Sequence, residues 1–256
     1  MKIHLVLVVP ALLLLVVSSA WCHQPRIVEG EDVTVVENPE VSQAFYGELK
    51  GKPVYYQIVS EDSFKLYVGI LVPDLEDIRK DVSVEITKER ARPEEKVEGE
   101  PKEEKDIHLL LGGTEYEWTR WYEPFGGDWY WEGPELRSNP PEEELPEGVE
   151  ASGGTYTLRV FSPDNEGKYV LVVGEREEFP LSEIIQTLFI LPQLKAEFFE
   201  RSAWSAYYNL VGLFILIGIG IIVGIIVAII LIVKRTVRKR RLARGGNIGR
   251  IPGSKR

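Results

Sequence analysis

The chain has 256 residues, 44% hydrophobic side chains and a formal net charge of −10 at pH 7. Of its 30 Lys and Arg residues, ten follow Val233 and one precedes residue 21, so residues 21–233 carry 19 basic side chains against all 40 acidic ones. Phosphate contacts need clustered Lys and Arg, so this acidic segment argues against nucleic acid as a partner. Such a charge balance is typical of a solvated cell-surface domain.

Residues 1–20 have the layout of a secretory signal peptide. Lys2 precedes an apolar run over residues 5–17, and small residues follow, ending in Ala20. We expect cleavage after Ala20, with an uncleaved signal anchor as the alternative. The bulk of the chain is then exported.

Cys22 is the only cysteine, so the chain cannot form an internal disulfide. A lipidated cysteine would need a small residue before it and a Leu three residues before it, whereas Trp21 and Ser19 stand there. The sequence contains no Asn-x-Ser/Thr acceptor for glycosylation. An outer domain of about 155 residues is large enough to fold on its own core without disulfides. The absence of both features favours a prokaryotic protein.

Residues 24–180 are predicted to form an extracytoplasmic β-sandwich domain. Short apolar runs follow one another, bounded by Gly, Pro, Asp or Asn, and alternation is clear over residues 64–70 and 82–86. The candidate strands are 32–36, 44–49, 54–59, 64–72, 82–87, 107–111, 116–122, 129–131, 155–161 and 168–173. Eight to ten strands without helical periodicity predict an all-β, antiparallel, jelly-roll-like sandwich, and argue against the parallel α/β folds that bind nucleotides.

Two segments between these strands are predicted to be solvated loops. Residues 88–106 are Glu, Lys, Arg and Pro with Ala91 and Val97 as the apolar members, and residues 137–153 are rich in proline and glutamate. Neither segment has enough apolar side chains to order itself by burial.

The periodicity becomes helical over residues 181–208. Ile184, Ile185, Leu188, Phe189 and Leu191 share one helical face; Ser182 is the predicted N-cap, and Pro192 the predicted end. Leu194, Phe198 and Phe199 continue in a second short helix. We expect these juxtamembrane helices to pack under the sandwich; the alternative is that they lie on the membrane surface.

Residues 209–233 are predicted to form one transmembrane helix. Positions 210–233 are 24 consecutive apolar residues, which as a helix span about 36 Å, more than the roughly 30 Å hydrocarbon core of a bilayer. Trp204, Tyr207 and Tyr208 precede the span, as in an interfacial aromatic belt, and the tail at 234–256 has ten basic and no acidic residues. We expect a single-pass cell-membrane protein with its N-terminal domain outside and its basic tail in the cytoplasm.

Gly220, Gly224 and Ala228 recur every four residues within this span. Small residues at this spacing lie on one helix face and allow close helix packing. They predict self-association through the transmembrane helix, although Gly is common in such helices.

The densest aromatic stretch runs over residues 116–131. Its candidate binding residues are Tyr116, Trp118, Trp121, Tyr122, Trp129 and Trp131. In a strand Tyr116, Trp118 and Tyr122 share one face and Trp121 points to the other. The rings either fill the sandwich core or form an exposed platform that binds a glycan or another protein.

Residues 153–175 contain a Gly-x-Tyr-x-Leu-x-Val strand and a Gly-x-Tyr-x-Leu strand separated by a turn at 162–167. We predict a hairpin, which resembles the closing hairpin of pre-peptidase C-terminal domains, and the resemblance implies a jelly-roll fold rather than an activity. The whole layout also resembles prokaryotic membrane proteins made of a signal peptide, one β-sandwich and one span. That resemblance implies no particular chemistry.

Catalytic and metal-binding patterns are missing from the sequence. His4, His23 and His108 lie far apart, and there is no nucleophile elbow or phosphate-binding loop. The sequence therefore predicts no enzyme, no cofactor and no metal, and a non-catalytic binding or assembly module of the cell envelope. The alternatives are a carbohydrate-binding adhesin, and a membrane-anchored hydrolase with two carboxylates about 5 to 10 Å apart.

Overall fold

The computed structural model describes residues 23–30, 33–88, 108–138 and 147–245. The predicted signal peptide, Cys22, most of the loop predicted at 88–106 and the end of the basic tail lie outside the described residues. The strands are β1 (Gln24–Ile27), β2 (Thr34–Val35), β3 (Gln43–Lys50), β4 (Val54–Ser60), β5 (Phe64–Leu66), β6 (Val68–Pro73), β7 (Ser83–Lys88), β8 (His108–Leu111), β9 (Thr119–Glu123), β10 (Asp128–Leu136), β11 (Val149–Ala151), β12 (Gly154–Phe161) and β13 (Glu166–Val173). The helices are α1 (Leu181–Gln193), a π-helical turn (Leu194–Phe198), a 3-10 turn (Ala203–Tyr207) and α2 (Leu210–Gly245).

Two sheets form the predicted β-sandwich. The first sheet has the strand order β1-β3-β13-β6-β10-β9 and the second β2-β4-β12-β7-β8, while β5 and β11 form a separate pair. Neighbouring strands are antiparallel except that β1 runs parallel to β3 and β2 runs parallel to β4. The all-β sandwich is therefore confirmed, with mixed rather than purely antiparallel sheets.

The main core lies between the two sheets. Alternation along β7 buries Val84 and Ile86 completely, as the sequence predicts. Two buried tyrosines meet across the core, with the hydroxyls of Tyr56 and Tyr169 2.9 Å apart in a hydrogen bond. Each hydroxyl thereby gains the partner that a buried polar atom needs. The Tyr169 ring fits because Gly47 lies beneath it: a Cβ there would lie 2.5 Å from the hydroxyl oxygen.

Several strand boundaries differ from the prediction. The strand predicted at 64–72 breaks at Tyr67, because β5 pairs with β11 whereas β6 joins the first sheet. β11 lies inside the loop predicted at 137–153, so that prediction was wrong for Val149–Ala151. Its three residues were too few to produce a periodic signal, and β1 was missed for the same reason.

The closing strands β12 and β13 do not form the predicted hairpin. β12 lies between β4 and β7 in the second sheet, and β13 lies between β3 and β6 in the first. Each strand already has a neighbour on both sides, so the turn between them crosses from one sheet to the other. Asn165 (φ 56°) and Gly167 (φ 119°) provide left-handed backbone conformations for this crossing.

The outer face of the first sheet is covered by the segment that precedes α2. Leu194, Phe198 and Phe199 are buried against Val170 and Val172 of β13, as predicted for helices that pack under the sandwich. β13 is consequently apolar on both faces, which is typical of a strand covered on both sides.

The boundaries of α1 differ from the prediction at both ends. Its N-cap is Pro180, in an extended conformation and without a side-chain cap, so Ser182 is not the N-cap. Pro192 does not end the helix but lies in its last turn. Because proline has no N–H group, the Leu188 carbonyl loses its usual partner, and the Tyr207 hydroxyl donates to it at 3.4 Å.

α2 is long and apolar enough to cross a membrane over Leu210–Arg240. Asn209 caps its first turn, because the Asn209 side-chain oxygen accepts a hydrogen bond from the Gly212 N–H at 3.2 Å. The helix continues past Val233 through the basic residues to Gly245. Its 36 residues correspond to about 54 Å, so the described helix is longer than a hydrocarbon core.

Candidate binding surface

The aromatic stretch folds mainly as the hairpin of β9 and β10. In its register Tyr122 pairs with Trp129, and Trp121 pairs with Tyr130. Because side chains alternate along a strand, the first pair points to one face of the sheet and the second pair to the other. β9 is the last strand of its sheet, so the hairpin forms an edge of the sandwich.

Tyr122 and Trp129 form an exposed ring pair on this edge. They are 43% and 38% exposed, and their ring centroids lie 4.9 Å apart. The Arg120 guanidinium stands 4.3 Å over the Trp129 ring and is held by Asp74, whose Oδ2 accepts hydrogen bonds from Nε at 2.9 Å and from an Nη at 2.6 Å. We call Arg120, Tyr122 and Trp129 the aromatic edge surface.

Trp131 and Trp118 are half-buried and close the end of the main core. The Trp131 indole N–H donates to Asp74 at 2.9 Å, and Lys80 lies 3.7 Å over its ring. The Trp118 ring covers Gly133, where a Cβ would lie 2.5 Å from two ring carbons. These two tryptophans therefore serve packing.

The exposed ring of Tyr116 packs against the ring of Trp118. The two rings pack edge to face with centroids 6.3 Å apart, and Tyr116 is 44% exposed. The strand predicted at 116–122 begins only at Thr119, so Tyr116 and Trp118 belong to the segment before it.

Trp121 and Tyr130 point to the outer face of the first sheet. Tyr130 is 3% exposed, and its hydroxyl lies 3.1 Å from that of Tyr46 in a hydrogen bond. Its ring packs edge to face against Phe199, with centroids 5.6 Å apart. The six predicted residues therefore do not form one platform: Tyr116, Tyr122 and Trp129 are exposed, and Trp118, Trp121 and Trp131 are partly buried.

A polar junction joins the β9–β10 hairpin to α2, and sequence reasoning missed it. Lys195 is 1% exposed, forms an ion pair with Asp128 at 2.5 Å, and donates to the Gly126 carbonyl at 2.7 Å. The same carbonyl accepts a hydrogen bond from the Asn209 side chain at 2.5 Å. Arg201 also approaches Asp128, at 3.4 Å. The sequence offered one sign of this junction: Lys195 lies next to Leu194 and near Phe198 in an apolar helical pattern, and a lysine in such a place needs a partner when it is buried.

Glu123 completes this junction. Its carboxylate accepts hydrogen bonds from the backbone N–H groups of Phe125 and Gly126, at 2.6 and 2.5 Å, and so holds the hairpin turn. Burial raises the pKa of Glu123 to about 7, and the Asp128 carboxylate nearby adds to this rise. Burial also raises the pKa of Asp128, although Lys195 opposes that shift.

Glu123 and Asp128 are two neighbouring carboxylates, as the hydrolase alternative requires, but they do not face a substrate-sized cleft. The cavity beside them has a volume of about 40 Å³ and is lined mainly by apolar side chains. That space suits a single water molecule, whereas pockets for organic ligands measure roughly 300 to 1,000 Å³. Thr187 lines it with a buried hydroxyl that has no hydrogen-bond partner in the described part of the chain.

A larger, open groove of about 550 Å³ lies between the edge strands β1 and β2. Glu29, Glu37 and Glu183 line it together with Arg26, which pairs with Glu183 at 2.9 Å. Within the residues that the structure describes, no group of three or more His, Cys, Asp or Glu side chains is arranged to hold a metal ion.

The small-residue positions of α2 lie on a stretch of the helix, residues 219–240, that is exposed on all sides. A Cβ added at Gly220 or Gly224 would meet no atom beyond the backbone of its own helix turn within 4 Å, and Ala228 is exposed. Packing of a second helix on this face stays a prediction.

His108, a predicted strand residue, begins β8, and its ring lies 2.7 Å from Glu85 in a hydrogen bond.

Comparison with known proteins gives a likeness of fold. No family model matches the chain, and no curated protein matches it. Among solved structures the chain is similar to the pre-peptidase C-terminal domain of a collagenase from Bacillus anthracis, with 10% sequence identity and a TM-score of 0.28. The match covers 57% of this chain and 97% of that domain. That domain belongs to the family whose closing strands residues 153–175 resemble.

Proposed function

We propose that this protein is a single-pass membrane protein whose β-sandwich is a non-catalytic module that binds another envelope protein through the aromatic edge surface. The observation that carries the proposal is the exposed pair of Tyr122 and Trp129, beside Arg120, on the β9–β10 hairpin at the edge of the first sheet. Tyrosine, tryptophan and arginine dominate the binding energy of protein interfaces.

The free side of β9 supports a protein partner. β10 pairs with one side of β9, and no strand pairs with the other side among the described residues. Backbone N–H and C=O groups of such an edge can add a strand from a partner, and side chains beside it supply specificity. A protein partner would use both the free backbone of β9 and its rings.

A glycan is favoured less by the same geometry. Sugar rings stack on open aromatic faces, but Arg120 covers one face of Trp129 and Lys80 covers one face of Trp131. Stacking on the covered face of Trp129 would require Arg120 to leave Asp74, with the loss of two hydrogen bonds. A glycan array that stays blank with the full chain in detergent is the expected result, and specific binding there would favour the adhesin alternative.

The proposed orientation places the sandwich outside the cell and the basic tail inside. The ten Lys and Arg residues after Val233 support this orientation, because basic flanks stay in the cytoplasm. In a Cys22→Ser background, a membrane-impermeant maleimide should label Val59→Cys on intact cells and Ser254→Cys only after permeabilisation. The reverse pattern would contradict the proposed topology.

Site-specific photocrosslinking in the native membrane tests the binding surface. A photoreactive phenylalanine analogue at Tyr122 should give a discrete crosslink to one protein, and Trp129→Ala should weaken it. The matched control is the same analogue at Tyr55, which is similarly exposed at 40% but lies in the second sheet. Equal crosslinking at both positions, or none at Tyr122, would contradict the proposal.

A further inference from the structure

The apolar stripe of α1 faces away from the protein. Its residues are spaced at i, i+3, i+4, i+7 and i+8, as on one face of a helix. They are Leu181, Ile184, Ile185, Leu188 and Phe189; Leu181 is 72% exposed, Ile184 46%, Ile185 48% and Phe189 77%, whereas Leu188 is half-buried on the side of the stripe that meets α2. The sandwich side of the helix is formed instead by Thr187 and Leu191, which are 7% and 8% exposed. Exposure of such a stripe in water is unfavourable, so the stripe needs an occupant.

This stripe lies beside the start of α2. Leu188 and Leu191 pack in one cluster with Val211 and Ile215 of α2. Ile215 is five residues past Leu210, which corresponds to about 8 Å along the helix axis. The outer side of α1 is therefore continuous with the first turns of a helix that is apolar enough to cross a membrane.

Exposed aromatic rings flank the same place. Trp204 is 73% exposed and Tyr208 is 84% exposed, immediately before α2. Trp and Tyr concentrate at the boundary between lipid headgroups and acyl chains, because their rings are apolar at one end and polar at the other. These rings place the bilayer boundary at the level of α1.

We infer that the stripe of α1 binds the outer leaflet of the same bilayer that α2 crosses. Helices of this kind lie in the interface with their apolar face buried roughly 5 to 10 Å into the boundary between headgroups and acyl chains, and Ile215 lies a similar distance past the start of α2. The inference rests on the membrane anchoring of the proposed function. It adds a second lipid contact, which holds the sandwich at a fixed height and tilt because the Lys195–Asp128 pair fastens the same segment to the sheet.

The contact is driven by apolar burial rather than by charge. Glu183 is the one charged residue in α1, and it is paired with Arg26. Helices that depend on anionic lipid carry Lys and Arg on their polar face. A bilayer of phosphatidylcholine is therefore sufficient.

Fluorophore quenching with the full chain in phosphatidylcholine vesicles tests the inference. In a Cys22→Ser background, single cysteines at Phe189, Gln186, Val59 and Ile222 are labelled with an environment-sensitive fluorophore. Quenchers on lipid acyl chains should act on positions 189 and 222, and aqueous iodide should act on positions 186 and 59. Gln186 is the matched control, because it is exposed on the same helix but away from the stripe.

The outcomes separate the two levels of the argument. If position 222 is not quenched by lipid, the membrane anchoring itself fails. If position 222 is quenched by lipid but position 189 responds to iodide as position 59 does, the anchor holds and the inference on α1 is wrong. If position 189 is shielded from both quenchers, a protein surface covers the stripe, which also overturns the inference.

Discussion

The two faces of the first sheet are covered in different ways. On the inner face, completely buried apolar residues such as Leu49 and Leu171 pack against the second sheet. The buried hydroxyls of Tyr56 and Tyr169 form a hydrogen bond with each other. On the outer face, the segment that precedes α2 adds a buried ion pair between Lys195 and Asp128 to its apolar contacts.

This difference separates what holds the fold from what orients it. Apolar burial on the inner face is non-directional and stabilises the sandwich whatever the pH. The junction on the outer face instead requires particular hydrogen bonds. The Gly126 carbonyl in the β9–β10 hairpin accepts them from Lys195 and from Asn209, the residue directly before α2. We infer that the inner face provides stability and that the outer face fixes the position of the sandwich relative to α2.

The largest effect is expected when the junction loses one charge. Lys195→Met leaves the Asp128 carboxylate buried with Arg201 as its remaining cationic partner, so the free energy of unfolding should fall by about 3 to 5 kcal/mol. Chemical denaturation of the full chain in detergent, followed by tryptophan fluorescence, measures this change.

A second variant separates lost charge from lost packing. Lys195→Met combined with Asp128→Leu removes both charges and should recover most of the loss, because a buried pair replaced by apolar residues is often neutral. Lys50→Met, which breaks the exposed pair with Glu48, should cost less than about 1 kcal/mol. A loss for Lys195→Met as small as that for Lys50→Met would contradict the role of the junction.

Trp118 packs against the main core, whereas Trp129 belongs to the exposed aromatic edge surface. Trp118→Ala should reduce the free energy of unfolding by about 2 to 3 kcal/mol, since it empties the space over Gly133, whereas Trp129→Ala should cost about 1 kcal/mol. Thermal unfolding of the purified chain checks both values.

Gly133→Ala provides the control for this comparison. In the native chain its Cβ would lie 2.5 Å from the Trp118 ring, so the substitution should destabilise. In the Trp118→Ala background the clash is gone, and the same substitution should be close to neutral. Equal costs in both backgrounds would show that the ring does not lie over Gly133.

The stability contributed by the outer face should depend on pH through Glu123, unlike the apolar burial on the inner face. Glu123 has a folded-state pKa of about 7, above its unfolded value of about 4.5, so the folded protein binds the extra proton between these values. Its contribution is therefore complete below about pH 4.5 and is lost as pH rises toward 7, by up to roughly 1.4 kcal/mol per pH unit. Glu123→Gln removes this loss.

The measurement is the difference in unfolding free energy between Glu123→Gln and the native chain from pH 5 to 8. The difference is needed because burial lowers the pKa of His23 to about 4, and this group stabilises the protein as pH rises. The variant should gain stability relative to the native chain up to about pH 7 and then level off. A difference that does not vary with pH would mean that Glu123 is charged throughout.

Within the aromatic edge surface, the smallest effect on stability is expected at Tyr122. Tyr122→Ser should reduce the free energy of unfolding by about 0.5 kcal/mol, because the side chain is exposed and the contact that it loses is the ring pair with Trp129. The same variant should still abolish partner binding at this edge. Loss of binding together with a large loss of stability would assign Tyr122 to the fold instead.

The local periodicity of apolar residues was sufficient to predict many of the strands and helices. Alternation over residues 64–70 and 82–86 predicted buried strand faces because a strand has a period of two, and the run at 210–233 predicted a helix apolar enough to cross a membrane. The helix at Leu181–Gln193 also followed from its spacing of apolar residues. These features depend on neighbours within one element, which the sequence contains directly.

The tertiary structure decided which surface covers each face. Periodicity predicted that Ile184, Ile185 and Phe189 share one side of α1, but only the packing of Leu194 and Phe198 on the sheet turns that side outward. Likewise β12 and β13 were predicted correctly as strands yet lie in different sheets. Their partners are distant in sequence, and the choice between partners depends on long-range burial that no local pattern encodes.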